Sequence, residues 1–359
     1  MMNTGAPLSL GPPVNRKPMT EVPESELNGT KDFPPAQFPN YLPIWEIPPN
    51  KYPPLEPFDH VEHGKDADPT FPDLLPQGSK MTYLTASIGA EISGVQLNQL
   101  NDKAKDQLAL LAAQKKVLVF HDQDFAKTPI REAVEFARYF GRLLLHPHSG
   151  YPAGHPEIHI VHRRAGNTMS QDHFKSHTHS LAWHCDNTYE RQPPGTTFLY
   201  ALEVPEEGGD TIFVNTAAAY SRLSPAFQQR LHGLTALHTA HDQTAKALNS
   251  GGYVRREPIT SIHPVVRTHP VTGEKCLFVN PQFTRYIVEL KKEESDYLLK
   301  YLYDHLAYSQ DMQCRVRWKA GDVVVWDNRV TNHSALMDWE DGRRRHIARI
   351  TPEAEKPFE

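Results

Sequence analysis

His184-Cys185-Asp186, followed 147 positions after that aspartate by His333 in the run Trp326-Asp327-Asn328-Arg329-Val330-Thr331-Asn332-His333, decides the reading of this chain. Two imidazoles and one carboxylate form the ligand set that holds Fe(II) on one face and leaves the opposite positions open. Side chains alternate along an extended segment, so His184 and Asp186 point one way and Cys185 the other, and one short strand then supplies two ligands. Alone, the spacing means little, because 20 histidines and 43 carboxylates produce it by chance. Its neighbours carry the argument.

After the aspartate come Tyr189-Glu190-Arg191-Gln192-Pro193-Pro194-Gly195 and Gly208-Gly209-Asp210-Thr211. Beyond His333 lies Arg343-Arg344-Arg345-His346-Ile347-Ala348-Arg349. Upstream stand Ile88-Gly89-Ala90-Glu91-Ile92-Ser93-Gly94 and Phe140-Gly141-Arg142 with His146-Pro147, and between the ligands Phe278-Val279-Asn280-Pro281. In these ordered motifs the chain resembles the taurine dioxygenase family of Fe(II)- and 2-oxoglutarate-dependent oxygenases, over residues from about 84 to 352.

Composition sets the outer bounds. A chain of 359 residues with net charge −5 and a pI near 6.5 gives no reason to expect nucleic acid or an anionic membrane as partner. No run of eighteen apolar residues occurs, the N-terminus has neither a basic start nor a signal-length apolar stretch, and Cys185, Cys276 and Cys314 form no metal or disulfide pattern. A cytoplasmic protein is the expectation, with self-association into a homo-oligomer left open.

Residues 1–78 hold more than half of the 31 prolines, which forbids long helices and central strands there. A disordered tail is expected to about Lys31, where aromatics are absent. From 33 to 75, interleaved Phe38, Tyr41, Trp45, Tyr52 and Phe58 predict an extended arm lying against the catalytic body, which occupies 79–359.

Past Ser79 the apolar pattern is regular. It predicts helices at 102–114 and 129–139, a helix opened by Ser224-Pro225 and running to about Leu231, and strands at 116–121, 196–202, 211–215 and 323–326. Many short strands with a few flanking helices suit a mostly β fold, the double-stranded β-helix or jelly roll shared with cupins.

Nine histidines fall between His146 and His184. Most, His159 among them, read as surface or hydrogen-bonding residues. The resemblance singles out His146, which precedes a proline where the family's substrate-contacting histidine lies, with Tyr151 following as the aromatic contact after two extra residues. It also implies that Thr211, twenty-five residues after Asp186, and Arg345 hold 2-oxoglutarate, and that Arg349 binds the substrate. If 343–351 is a strand, Arg343, Arg345, Ile347 and Arg349 share a face, and Arg344 reads as a solvated charge. Ser180 departs from the pattern: taurine-using members carry asparagine four residues before the first ligand histidine, and Asn187 lies on a different side of the ligand pair.

The resemblance implies that 2-oxoglutarate is decarboxylated oxidatively to succinate while O₂ hydroxylates a small anionic substrate. An alkyl sulfonate hydroxylated beside sulfur collapses to an aldehyde and sulfite. The alternatives are an oxygenase acting on an amino acid or heterocycle in a biosynthetic pathway and, in another class, a non-catalytic jelly-roll binding protein, which has no need for His184, Asp186, His333, Thr211 and Arg345 together.

Overall fold

The computed structural model describes residues 20–46, 51–167, 173–175, 177–249, 252–339 and 343–359. The first nineteen residues of the expected tail lie outside the described residues.

Strand periodicity builds two facing sheets. The larger has the order β1 (Lys80–Tyr83), β2 (Ala90–Ser93), β3 (Val117–Phe120), β13 (Val323–Asp327), β5 (Thr196–Glu203), β15 (Arg345–Ile350) and β4 (Ile158–Arg163), antiparallel except for the β2–β3 pair. The smaller is β12 (Gln313–Val316), β6 (Thr211–Asn215) and β14 (Thr331–Ala335). Alternation sorts each strand's side chains. Val323 and Val325, Phe198 and Tyr200, and Ala348 and Ile350 face a core shared with α2 (Asp102–Lys115) and α3 (Ile130–Arg138). Val324, Trp326, Ala201 and Ile347 face inward, onto Phe213, Cys314 and Val316 of the smaller sheet. Two sheets, antiparallel but for that one pair, enclose a core and make the jelly roll.

Local signals place the helices. Asn101 caps α2 by accepting from Ala104 N at 2.9 Å, and Ser224 caps the helix Pro225–Leu231 by accepting from Phe227 N. A further layer, β7 (Thr235–Thr239) between β8 (Thr260–Pro264) and β11 (Thr284–Ile287), packs with the helix Lys292–Tyr308 beside the smaller sheet.

The arm lies on the body. Tyr41 is fully buried with its ring edge against Tyr200, Ile44 exchanges backbone hydrogen bonds with Tyr151, and Phe58 stacks under Arg142. Two expectations are corrected here. Residues 24–28 form a short helix whose Glu26 is buried, so the segment just before Lys31 is not a free tail. Arg344 is not solvated: it is buried, reaches Glu26 at 3.1 Å and Glu203 at 3.1 Å, and donates to the carbonyls of Pro34 and Pro35. The arm roofs it, and a roof made by residues some three hundred positions away leaves no local trace.

Candidate active site

His184 and His333 are direct cross-strand neighbours. Each backbone N–H donates to the other's carbonyl, at 2.9 and 2.7 Å, and the rings lie 4.2 Å apart. His184 belongs to no strand beyond this single bridge; the chain turns at Asp186, so the expected two-ligand strand is one residue of extended chain followed by a turn. Cys185 does point away, its thiol donating to Asn328 O at 2.8 Å. Asn328 also clamps the aspartate: its side chain accepts from Asp186 N at 3.0 Å and donates to Asp186 O at 3.1 Å. Behind it Asp327, Arg329 and His269 form a buried ion-paired group, with Asp327 held well below the usual carboxylate range by Arg329 and His269 against the opposing effect of burial. Asp327, Asn328 and Arg329 stand in the quoted run, but periodicity assigns them no role.

The donor atoms converge. His184 Nε2 and His333 Nε2 lie 3.7 and 3.9 Å from Asp186 Oδ1, and the three groups could together hold one cation. His184 Nδ1 is bonded to Ala182 O at 3.0 Å, which leaves Nε2 with its lone pair toward the cluster. Burial, opposed by the Asp186 charge, lowers the His184 pKa, and burial with the His184 charge brings that of His333 to about 3. Burial raises the Asp186 pKa, but Arg349 and the histidines outweigh it and hold it at about 2. Neutral imidazoles beside a carboxylate are the ligand state a divalent iron needs.

The triad opens into a cavity of about 280 Å³, at the lower edge of small-molecule sites. β4 and β15 contribute three facing pairs in register: Arg345 with Arg163, Ile347 with Val161, and Arg349 with His159. Arg345, Ile347, Arg349, Val161 and His159 line the cavity, as the shared face of 343–351 requires; Arg343 instead pairs with Glu206 at the surface. Arg345 is buried, donates to Gly209 O at 2.9 Å, and has no carboxylate within ion-pair distance among the described residues. Burial and the neighbouring Arg163 lower its pKa to about 10. A buried, unpaired guanidinium beside Thr211, whose hydroxyl accepts from Trp318 Nε1, fits the distal carboxylate of 2-oxoglutarate.

Arg349 donates from Nη1 to both oxygens of Asp186 at 2.8 Å and from Nη2 to His159 Nδ1 at 2.5 Å. The His146 ring lies against that of His159, centroids 4.2 Å apart and the planes tilted by 33°, and lines the cavity. Its Nδ1 accepts from the backbone N–H of His148 and Ser149, so the ring hydrogen sits on Nε2. The expected contacts Tyr151 and Ser180 are not among the residues lining this cavity. Tyr151 is drawn to the arm, its hydroxyl donating to Glu46 at 2.9 Å, and Ser180 accepts from Met337 N at 3.3 Å. His159 and Asn187 line the cavity instead. Asn187 does so because the turn at Asp186, where Asn187 takes φ 48°, interrupts the alternation that placed it elsewhere.

A jelly roll holding two histidines and a carboxylate beside a buried arginine defines a non-haem iron, 2-oxoglutarate-dependent oxygenase. Residues 80–351 match the model of the "Taurine catabolism dioxygenase TauD, TfdA family", and the chain belongs to that family. It is 44% identical over 328 residues to an alpha-ketoglutarate-dependent sulfonate dioxygenase of Saccharomyces cerevisiae, covering 90% of this chain and 79% of that one. It is 43% identical to the alpha-ketoglutarate-dependent dioxygenase cnsP of Penicillium expansum, over 89% and 87% of the two chains. The crystal structure of a putative alpha-ketoglutarate-dependent taurine dioxygenase from Burkholderia xenovorans superposes with a TM-score of 0.65 at 30% identity, over 78% of this chain and 94% of that one. The enzyme uses Fe(II) and 2-oxoglutarate. Among the described residues no helix is long and apolar enough to cross a membrane.

Proposed function

We propose that this enzyme oxidises a small alkyl sulfonate at the carbon beside sulfur and releases sulfite. The carrying observation is the second cationic end of the cavity: Arg349, His146 and His159 cluster by the metal ligands, four residues along β15 from Arg345. One guanidinium serves the co-substrate and the other an anionic head. His146 and His159 are both neutral, burial and Arg349 holding their pKa values well below the usual imidazole range, so each offers a hydrogen-bonding nitrogen without adding charge. Val161, Leu199, Phe213, Phe283 and Ile347 exclude water around the reacting carbon.

Iron with 2-oxoglutarate and O₂ supplies the oxidation: the co-substrate leaves as succinate and CO₂, and one oxygen atom enters the C–H bond. The 1-hydroxysulfonate then breaks its C–S bond, giving the aldehyde and bisulfite. The Saccharomyces cerevisiae relative, by name a sulfonate dioxygenase, supports this reading. We place the enzyme in the cytoplasm, where a reducing milieu suits three buried free thiols, and assign the three ligands, Thr211 and Arg345 the roles given above. The test follows sulfite and succinate together across a panel of alkyl sulfonates. Stoichiometric sulfite is expected; succinate without sulfite, formed from an amino acid or a heterocycle, would replace the sulfonate reading.

A further inference from the structure

Besides its cationic end the cavity has a polar corner that neither the metal nor the co-substrate uses. It is built by the turn after Asp186 and the helix His241–Asn249, elements other than the β4 and β15 strands that carry Arg349 and His159. Asn187 Nδ2 donates to the Tyr189 hydroxyl at 2.7 Å, and that hydroxyl donates its single hydrogen to Gln243 Oε1 at 3.2 Å. Tyr189 is buried, so both amides are pinned by one fixed hydroxyl. Left over are Asn187 Oδ1, an acceptor, and, as donors, Gln243 Nε2 and the second hydrogen of Asn187 Nδ2. Asn187 and Gln243 line the cavity with the triad, and Gln282 joins them.

We infer that the substrate carries, beyond the carbon that is oxidised, a neutral group that both donates and accepts hydrogen bonds, a hydroxyl or an amide, and that Asn187 and Gln243 recognise it. The class follows from what the corner offers and what it lacks. A free acceptor beside free donors matches a hydroxyl or an amide. A plain alkyl chain there strips water from both amides and returns no hydrogen bond. An ammonium finds no counter-ion: Asp186 is the cavity's single carboxylate among the described residues, and it is committed to the metal site and Arg349. A buried unpaired charge is costly. Selectivity against taurine thus follows from this corner, with Ser180 outside the cavity lining.

The choice of probes rests on the sulfonate reading, and the experiment separates the two. Sulfite and succinate are measured for ethanesulfonate, isethionate, N-acetyltaurine and taurine with the iron-loaded enzyme. Isethionate or N-acetyltaurine is expected to exceed both ethanesulfonate and taurine in kcat/KM by about tenfold, the scale of one or two neutral hydrogen bonds. Gln243→Leu brings the preference over ethanesulfonate close to one. Gln243→Glu keeps the acceptor for Tyr189 and adds a charge, so it raises taurine relative to isethionate. Each ratio is taken within one variant, which cancels any loss of folded enzyme. Equal use of ethanesulfonate by the wild type, or a Gln243→Leu that slows every substrate alike, overturns the inference. If no sulfonate yields sulfite while another compound yields succinate, the sulfonate reading falls. The inference then stands only if that compound bears a hydroxyl or amide and its advantage over the deoxy or alkyl analogue is lost in Gln243→Leu.

Discussion

Arg349 Nη1 lies 2.8 Å from both carboxylate oxygens of Asp186, so the guanidinium proposed for the substrate anion also neutralises the metal-binding carboxylate. Removing it leaves Asp186 buried without its partner, a defect on the order of 3–5 kcal/mol. Arg349→Ala is expected to lower the melting temperature of the metal-free protein, and Mn(II) to raise it by more than in the wild type. Equal metal-induced shifts in thermal unfolding would contradict the coupling.

The two arginines of β15 should separate kinetically. Loss of a charged bidentate contact to a buried anion costs about 2–5 kcal/mol, tens- to thousands-fold in affinity. Arg345→Ala should raise the KM for 2-oxoglutarate far more than that for the substrate, and Arg349→Ala the reverse; steady-state kinetics with each ligand varied in turn decides it.

His184→Ala or His333→Ala should abolish turnover and the weak visible band expected when 2-oxoglutarate joins Fe(II) anaerobically, because each removes one of three protein ligands. His179→Ala, an exposed site, is the control and should keep both activity and band. Matching losses in the control would mean the ligand set is misassigned.

Deleting residues 1–31 should destabilise the enzyme, contrary to what the proline-rich sequence alone suggests, since it removes Glu26 from Arg344. Arg344 keeps Glu203, so Glu26→Ala alone should cost about 1–3 kcal/mol in urea unfolding. Unchanged midpoints for both would show that the Glu26–Arg344 pair contributes nothing.

Acid should loosen the arm. Burial raises the Glu62 pKa, but Arg329 and His60 outweigh it and hold it at about 2, below its usual value near 4.5. A depressed folded-state pKa contributes stability that is complete above the unfolded value and lost as pH falls from about 4.5 toward 2. Glu62→Gln should flatten the loss of stability across that window, measured as unfolding midpoint against pH.

How much could be read in advance depended on the range of the interaction responsible. Caps act within four residues, so Ser224 marks a helix start that the structure retains. Strand alternation has a period of two, so Arg345, Ile347 and Arg349 could be assigned to one face and indeed line one cavity. The same rule failed at Asn187, where φ turns positive and alternation ends. The resemblance, in turn, misplaced Tyr151, which the arm claims through Glu46.

By itself, then, the sequence determined the chemistry on offer: two imidazoles, a carboxylate, paired arginines and the strands that carry them, all consequences of residue type and short-range periodicity. Tertiary structure alone decided which of the many histidines share the cavity, that Arg344 is covered while Arg345 faces inward, and that Asn187, Tyr189 and Gln243 join into one hydrogen-bonded corner. Those contacts join segments from separate parts of the chain. They exist only once the two sheets close and the arm is laid over them, and such long-range packing leaves no periodic signal in the sequence.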